Sequence, residues 1–211
     1  HNRDRRRKDF FIKHSVETVD RLHDHPSIVV YTIFNESWGQ FESDRIYDIL
    51  KQKDPTRLYD STSGWFAQLH SDFESVHIYF RNKILLPKIR PMLLSECGGY
   101  SLKVAGHVYN KKDSYGYGNC SDKEELTNRI LKMYNKMVFP AIPLGLCGCI
   151  YTQLTDVEDE INGLYTYDRQ VCKVEGEVMK YIADVIDRMM HADDGIKEAI
   201  DSYMEKYGAK N

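Results

Sequence analysis

The stretch HPSIVVYTIFNESWGQ, residues 25–40, carries an unbroken run of β-branched and aromatic residues from Ile28 to Phe34. Such a run is predicted to be a buried strand. It stops at Asn35-Glu36, so a carboxylate stands at the strand's C-terminal end, and Ser37 behind it has the chemistry of a helix N-cap. A second stretch repeats the design. Pro91 to Glu96 (PMLLSE) is short, apolar and closes on a glutamate, with Cys97-Gly98-Gly99 after it. Two strands that each end in a glutamate are expected to turn two carboxylates toward one cleft.

Around these two strands the pattern alternates. Upstream, Phe11, Ile12, Val16, Val19 and Leu22 recur at helical spacing between charges, which predicts an amphipathic helix over 8–24 closed by Pro26. The basic run Arg5 to Lys8 has no aromatic or glycine-rich partner and reads as a solvated lead-in to that helix. Downstream, Ser43 to Lys53 places Ile46, Ile49 and Leu50 on one helical face, Asp54-Pro55-Thr56 turns the chain, and 57–61 is a short strand. Residues 61–70 form a loop whose Trp65 and Phe66 are expected to tuck over the core, with sugar stacking as the competing role.

A strand over 74–80 puts His77 and Tyr79 on one face, and 81–90 is a short basic connection with room for a helical turn or two. After the second glutamate strand, 98–121 is a long loop rich in glycine, serine, tyrosine and asparagine, a type of segment that often carries function. Ser121-Asp122-Lys123-Glu124 resembles a capping box opening a helix to about Phe139, stopped by Pro140 and Pro143. A buried strand over 144–151 leads into an acidic loop, 154–169, expected at the surface, and helices over 171–190 and 194–207 close the chain. Strands alternating with helices and loops predict an α/β fold with a parallel sheet and helical crossovers, in one domain over 1–211.

Composition excludes several functions. A net charge of -3 and a pI near 6.3 give no electrostatic case for nucleic acid or an anionic membrane. No apolar run approaches the roughly 20 residues of a membrane helix, and the charged N-terminus lacks the apolar core of a signal peptide. A cytoplasmic setting is the resulting expectation. The five cysteines are an odd number without zinc-ligand spacing, so buried reduced thiols are expected, and neither metal nor cofactor is indicated. Cys97 follows a glutamate but has no evident activating base, which favours packing over a thiol mechanism.

Two strand-end glutamates are the equipment for hydrolysing a glycosidic bond. The motifs HPSIVVYTIFNE, DPTRLYDSTSGW, VHIYF, LLSECGG and YTQLTDVEDEINGLYTYDR, in that order, resemble glycoside hydrolase family 2, which holds β-galactosidases, β-glucuronidases and β-mannosidases. The resemblance reaches to Arg169 and implies a partial (β/α)8 TIM barrel, approximately strands four to eight, with the chemistry at the strand C-termini. It makes Glu36 the general acid/base and Glu96 the nucleophile of a retaining enzyme. It also makes Asn35 a ligand of the sugar 2-hydroxyl, Tyr79 the tyrosine that positions the nucleophile, Trp65 an aromatic near the site and Tyr151 the floor of the sugar pocket. His77 joins them as a weaker sugar-binding candidate beside its reading as a structural histidine.

The family's glucuronidases resemble one another in an Asn-x-Lys motif that binds the uronate. Here Glu160-Ile161-Asn162 stands in that place, so the cation is missing, which counts against a glucuronidase. The Asn162-Gly163-Leu164 and Asp168-Arg169 pattern resembles the β-galactosidases more, so a β-galactoside is the favoured substrate. The family barrel begins three strands earlier and follows β-sandwich domains, so the resemblance makes these residues a fragment of a larger protein, inactive on its own. Half a barrel leaves two apolar edges, 28–34 and 144–151, and unpaired edges invite association, so a homo-oligomer is expected. A carbohydrate-binding or structural barrel fragment without catalysis is the alternative.

Overall fold

The computed structural model describes residues 4–36, 39–66, 68–81, 84 and 89–191. Ser37, most of the basic connection over 81–90 and the final helix expected over 194–207 fall outside the described residues. The chain divides into two compact units, one made of 1–77 with 87–95 and the other of 78–86 with 96–211.

The first unit opens with helix α1 (Arg5–Leu22), whose N-cap Asp4 accepts a hydrogen bond from the Arg6 amide. The basic run therefore forms the first helical turn; Arg5 to Arg7 stay exposed, while Lys8 is half-buried and pairs with Glu42 at 2.9 Å. Strand β1 (Val30–Phe34), helix α2 (Ser43–Lys53) and strand β2 (Leu58–Thr62) follow. β1 and β2 pair in parallel, Val30 opposite Leu58 and Phe34 opposite Thr62. Parallel neighbours need a crossover, which α2 supplies. The core beneath them is Val19, Phe34, Ile46, Leu50 and Tyr59. Full burial of side chains of this size contributes about 1.5–3 kcal/mol each. The Tyr59 hydroxyl reaches the Leu50 carbonyl (3.0 Å) and the Asp54 carbonyl (3.1 Å), fastening β2 to the end of α2.

Strand β3 (Glu74–Ile78) lies beside β4 (Met92–Gly98), where the Glu74 amide donates to the Pro91 carbonyl and the Ser75 and Ser95 hydroxyls meet at 2.6 Å. The strand expected to end at Glu96 runs on to Gly98. Its last residues pair with β5 (Leu146–Thr152) of the second unit, where the Gly99 amide donates to the Thr152 carbonyl. The architecture is α/β.

In the second unit the helix after the long loop is α3 (Lys123–Met133). Its cap is Asp122 rather than Ser121, because the Asp122 carboxyl takes the Glu125 amide while Glu125 reaches back to the Ser121 amide and hydroxyl. Half of the capping box is kept one residue along, since the Glu125 carboxylate reaches past the cap to the amide of the residue before it. The chain coils on through a π-helical turn at 134–138, a short helix α4 (Phe139–Ala141) and a 3₁₀ turn at 142–144, so Pro140 opens a turn instead of ending one. Helix α5 (Gly176–His191) starts later than the pattern suggests. Residues 171–173 are held in the loop, where the Thr166 amide donates to the Val171 carbonyl and the Lys173 amide to the Leu164 carbonyl.

Two expectations are corrected here. The acidic loop is not wholly a surface loop. Asp156 is buried and meets the equally buried Lys173 ammonium at 2.7 Å. That ammonium also donates to the Leu102 and Ile161 carbonyls, and the Gly163 amide donates to Asp156. Burial draws Asp156 up and Lys173 down, and each partner's charge opposes that drift. The cysteines are free but not uniformly buried: Cys97 is enclosed, while Cys147 is exposed. No helix among the described residues is long and apolar enough to cross a membrane.

Removing one partner of a buried ion pair leaves an uncompensated charge. Lys173→Met is therefore expected to lower stability by about 3–5 kcal/mol, read from urea unfolding midpoints. A variant within 1 kcal/mol of the wild type, to within about the usual extrapolation error, contradicts that assignment.

Candidate active site

Glu36 follows β1 directly, and the parallel pairing carries the next segment to its side. The Ser63 amide donates to the Phe34 carbonyl (2.8 Å), so the loop after β2 continues the register beyond the strands. Gln40 pins the two loops together by donating to the Asn35 carbonyl (3.0 Å) and the Trp65 carbonyl (3.1 Å). Glu36 Oε2 lies 3.0 Å from His77 Nδ1, and His77 Nε2 lies 2.9 Å from the Ser63 hydroxyl. The imidazole is buried and the glutamate is partly open to water. Asn35 is exposed, as are Trp65 and Phe66, so the aromatic pair does not tuck over the core.

Glu96 lies in the second unit, within the end of β4. The Tyr79 hydroxyl donates to Glu96 Oε2, and the Thr152 hydroxyl oxygen lies 3.4 Å from the same phenol oxygen. Burial, reinforced by the neighbouring carboxylate, pushes the Tyr79 phenol well above its ordinary value, so it stays a donor. Its ring stacks on Tyr117 at 3.8 Å between centroids, nearly parallel, and Phe80 meets the edge of Tyr117 at 5.6 Å. Gly99 makes that stack possible, because a Cβ there would sit 2.4 Å from Tyr117. Tyr151 packs its ring against Gly98 and its hydroxyl is buried without a hydrogen bond among the described residues. It is the next residue, Thr152, that stands beside Tyr79.

The structure thus brings together Glu36 with His77, and Glu96 with Tyr79, each pair inside its own unit. The two glutamates belong to different units. Sequence reasoning passed over Ser63, Tyr117, Thr152 and Asp60. Ser63 and Gly64 were visible as the dipeptide before Trp65, and Tyr117 as an aromatic framed by Gly116 and Gly118. Nothing in the pattern marks Asp60, a β2 residue buried to 1% exposure.

Neither carboxyl oxygen of Asp60 has a hydrogen-bond partner among the described residues. Burial raises its pKa, and the nearby Ser75 hydroxyl, His77 and Thr62 amide pull it only partly back. They act as weak electrostatic neighbours, since none completes hydrogen-bond geometry. The folded state therefore binds this proton more tightly than the unfolded chain. Its contribution to stability is full below an unfolded value of about 3.9 and is lost as pH rises through the folded value. Asp60→Asn is expected to be more stable than the wild type at pH 7 and to lose the advantage near pH 4, measured by paired urea titrations.

Against known proteins, residues 2–95 match the family model described as Glycosyl hydrolases family 2, TIM barrel domain. The match contains Glu36 and stops just short of Glu96. Among solved structures, a candidate β-galactosidase from Bacteroides fragilis is similar over 80% of this chain with a TM-score of 0.53 and 17% identity. The chain spans 29% of that protein's length, and at this identity the likeness is one of fold. No curated protein matches the chain. The parallel β1–α2–β2 unit, the shared fold and the family match agree: residues 2–95 resemble the TIM barrel domain of glycoside hydrolase family 2.

Proposed function

We propose that the chain carries the two catalytic carboxylates of a retaining β-glycosidase, with a β-galactoside as the preferred substrate. The observation that supports this best is that both motif glutamates are hydrogen-bonded to side chains of one segment, Glu36 with His77 and Glu96 with Tyr79.

The chemistry follows from the two roles. Glu96 attacks the anomeric carbon while Glu36 delivers its proton to the leaving oxygen. The carbon–oxygen bond to the aglycone breaks and a glycosyl ester forms on Glu96. Glu36, now a carboxylate, takes a proton from water, and the hydroxide so formed cleaves the ester with net retention. This requires the two carboxyl groups to come within about 5–5.5 Å around the substrate. Tyr79 keeps Glu96 aimed and donates to it without competing as a base. Against a uronate, Glu160 accepts from the Asn162 amide where a cation is needed, which favours a neutral sugar.

Five strands are present among the described residues, whereas a closed barrel of this type has eight. The 211 residues by themselves are accordingly proposed to be a poor catalyst, completed by further chain or by association through the apolar β1 and β5 edges. A strictly monomeric species in light scattering speaks against the second route. The test of the function is a panel of aryl β-glycosides offered to this chain and to any longer protein containing it. Turnover of the galactoside that falls by about 10³-fold or more in Glu96→Gln supports the reading. Sugar binding without turnover in every preparation points instead to a carbohydrate-binding scaffold.

A further inference from the structure

Glu36 must give up a proton in one half of the proposed cycle and take one in the other, so its two oxygens cannot be equivalent. The structure distinguishes them. Oε2 faces His77 Nδ1 at 3.0 Å, and the opposite ring nitrogen faces the Ser63 hydroxyl at 2.9 Å. The imidazole between them is buried. Gly64 completes the enclosure: a Cβ at this position would lie 2.4 Å from His77 Cγ, and the residue sits at φ +89, where a side chain is strained in any case. Its amide points toward the Ser75 hydroxyl at 3.4 Å. The Ser63-Gly64 dipeptide therefore provides both a hydrogen-bond partner and the space for one ring.

We propose that Ser63, Gly64 and His77 form a positioning device for Glu36, in which Ser63 fixes His77 as the Nδ1–H tautomer and that N–H reserves Oε2, leaving Oε1 to exchange the proton. This rests on the proposed function and adds to it a division of labour within one carboxyl group. An ionised carboxylate only accepts, so the nitrogen facing it must donate. The Ser63 hydroxyl can donate or accept, and it supplies its proton to Nε2. When Glu36 is protonated on Oε1, Oε2 is the carbonyl oxygen and still accepts from Nδ1–H. Both halves of the cycle are served without a change of tautomer. The opposite tautomer would set the Nδ1 lone pair against the carboxylate after each proton delivery. His77 is thus a positioning residue that meets the sugar through Glu36.

Two measurements test the device. Histidine-labelled NMR of this chain, recorded on the neutral imidazole, reads the tautomer directly: Nδ1–H is expected for His77, with Ser63→Ala and Gly64→Ala both loosening it into a mixture. An Nε2–H tautomer, or one indifferent to both substitutions, overturns the proposal. This arm needs no turnover, so it stands even where the aryl-glycoside panel fails. The second arm uses the preparation active in that panel. His77→Ala is expected to lower kcat/KM by about 10²-fold for aglycones that need protonation and by only a few-fold for highly activated aryl aglycones. His77→Asn, which returns a donor near the Nδ1 position, is expected to recover part of the loss. An equal fall for both classes of aglycone marks a purely structural histidine and overturns the proposal.

Discussion

The register of one pair of parallel strands governs the first unit. With Phe34 opposite Thr62, the backbone that follows β2 is delivered next to the backbone that follows β1, and the Ser63 amide takes up the Phe34 carbonyl. A slip of one residue would turn every side chain of β2 to the other face. Tyr59 would leave the core, and Ser63 would lose its line to His77. Helix α2 is what makes the register affordable to the chain, since its apolar face and the Tyr59 hydroxyl lock the crossover to both strands. The placement of the candidate acid/base Glu36 therefore begins with packing of Ile46 and Leu50 in the core beneath the strands.

The second unit solves a related problem with different means. Its candidate nucleophile is steadied by a tyrosine whose ring is itself stacked, so orientation comes from aromatic contact and one hydrogen bond in place of an imidazole. The loop that follows β5 is long and polar, and its order comes from a buried charge. Lys173 collects two carbonyls and Asp156 in one place, and Gly163 adds an amide. Such a centre is expensive to desolvate, and its bonds converge on one oxygen: the Lys173 ammonium and the Gly163 amide both reach Asp156 Oδ1, while Oδ2 is buried without a hydrogen-bond partner among the described residues.

Much of the first unit was legible because its signals are local. The amphipathic spacing of α2 gives its limits to the residue, and the runs into Glu36 and Glu96 identify both strands. The partners of those glutamates were only half legible. His77 and Tyr79 could be named from their motif, but that His77 turns toward Ser63 and Glu36 depends on contacts 14 and 41 residues apart in sequence. Lys173 and Asp156 were missed for the same reason: a charge in a polar loop looks solvated until its distant partner is known. Trp65 and Phe66 misled in the other direction, because aromatic character says that a ring prefers cover and not whether the fold supplies any.

The enclosure of Lys173 also separates it chemically from the other lysines of the chain. Its amine is shut off from water and engaged by three oxygens, so acylating reagents reach it only when the 153–174 segment opens. Exposed amines such as that of Lys13 react in the folded protein. The contrast gives this loop an internal clock: the rate at which Lys173 is modified, set against its surface neighbours, counts the openings of the segment that follows β5.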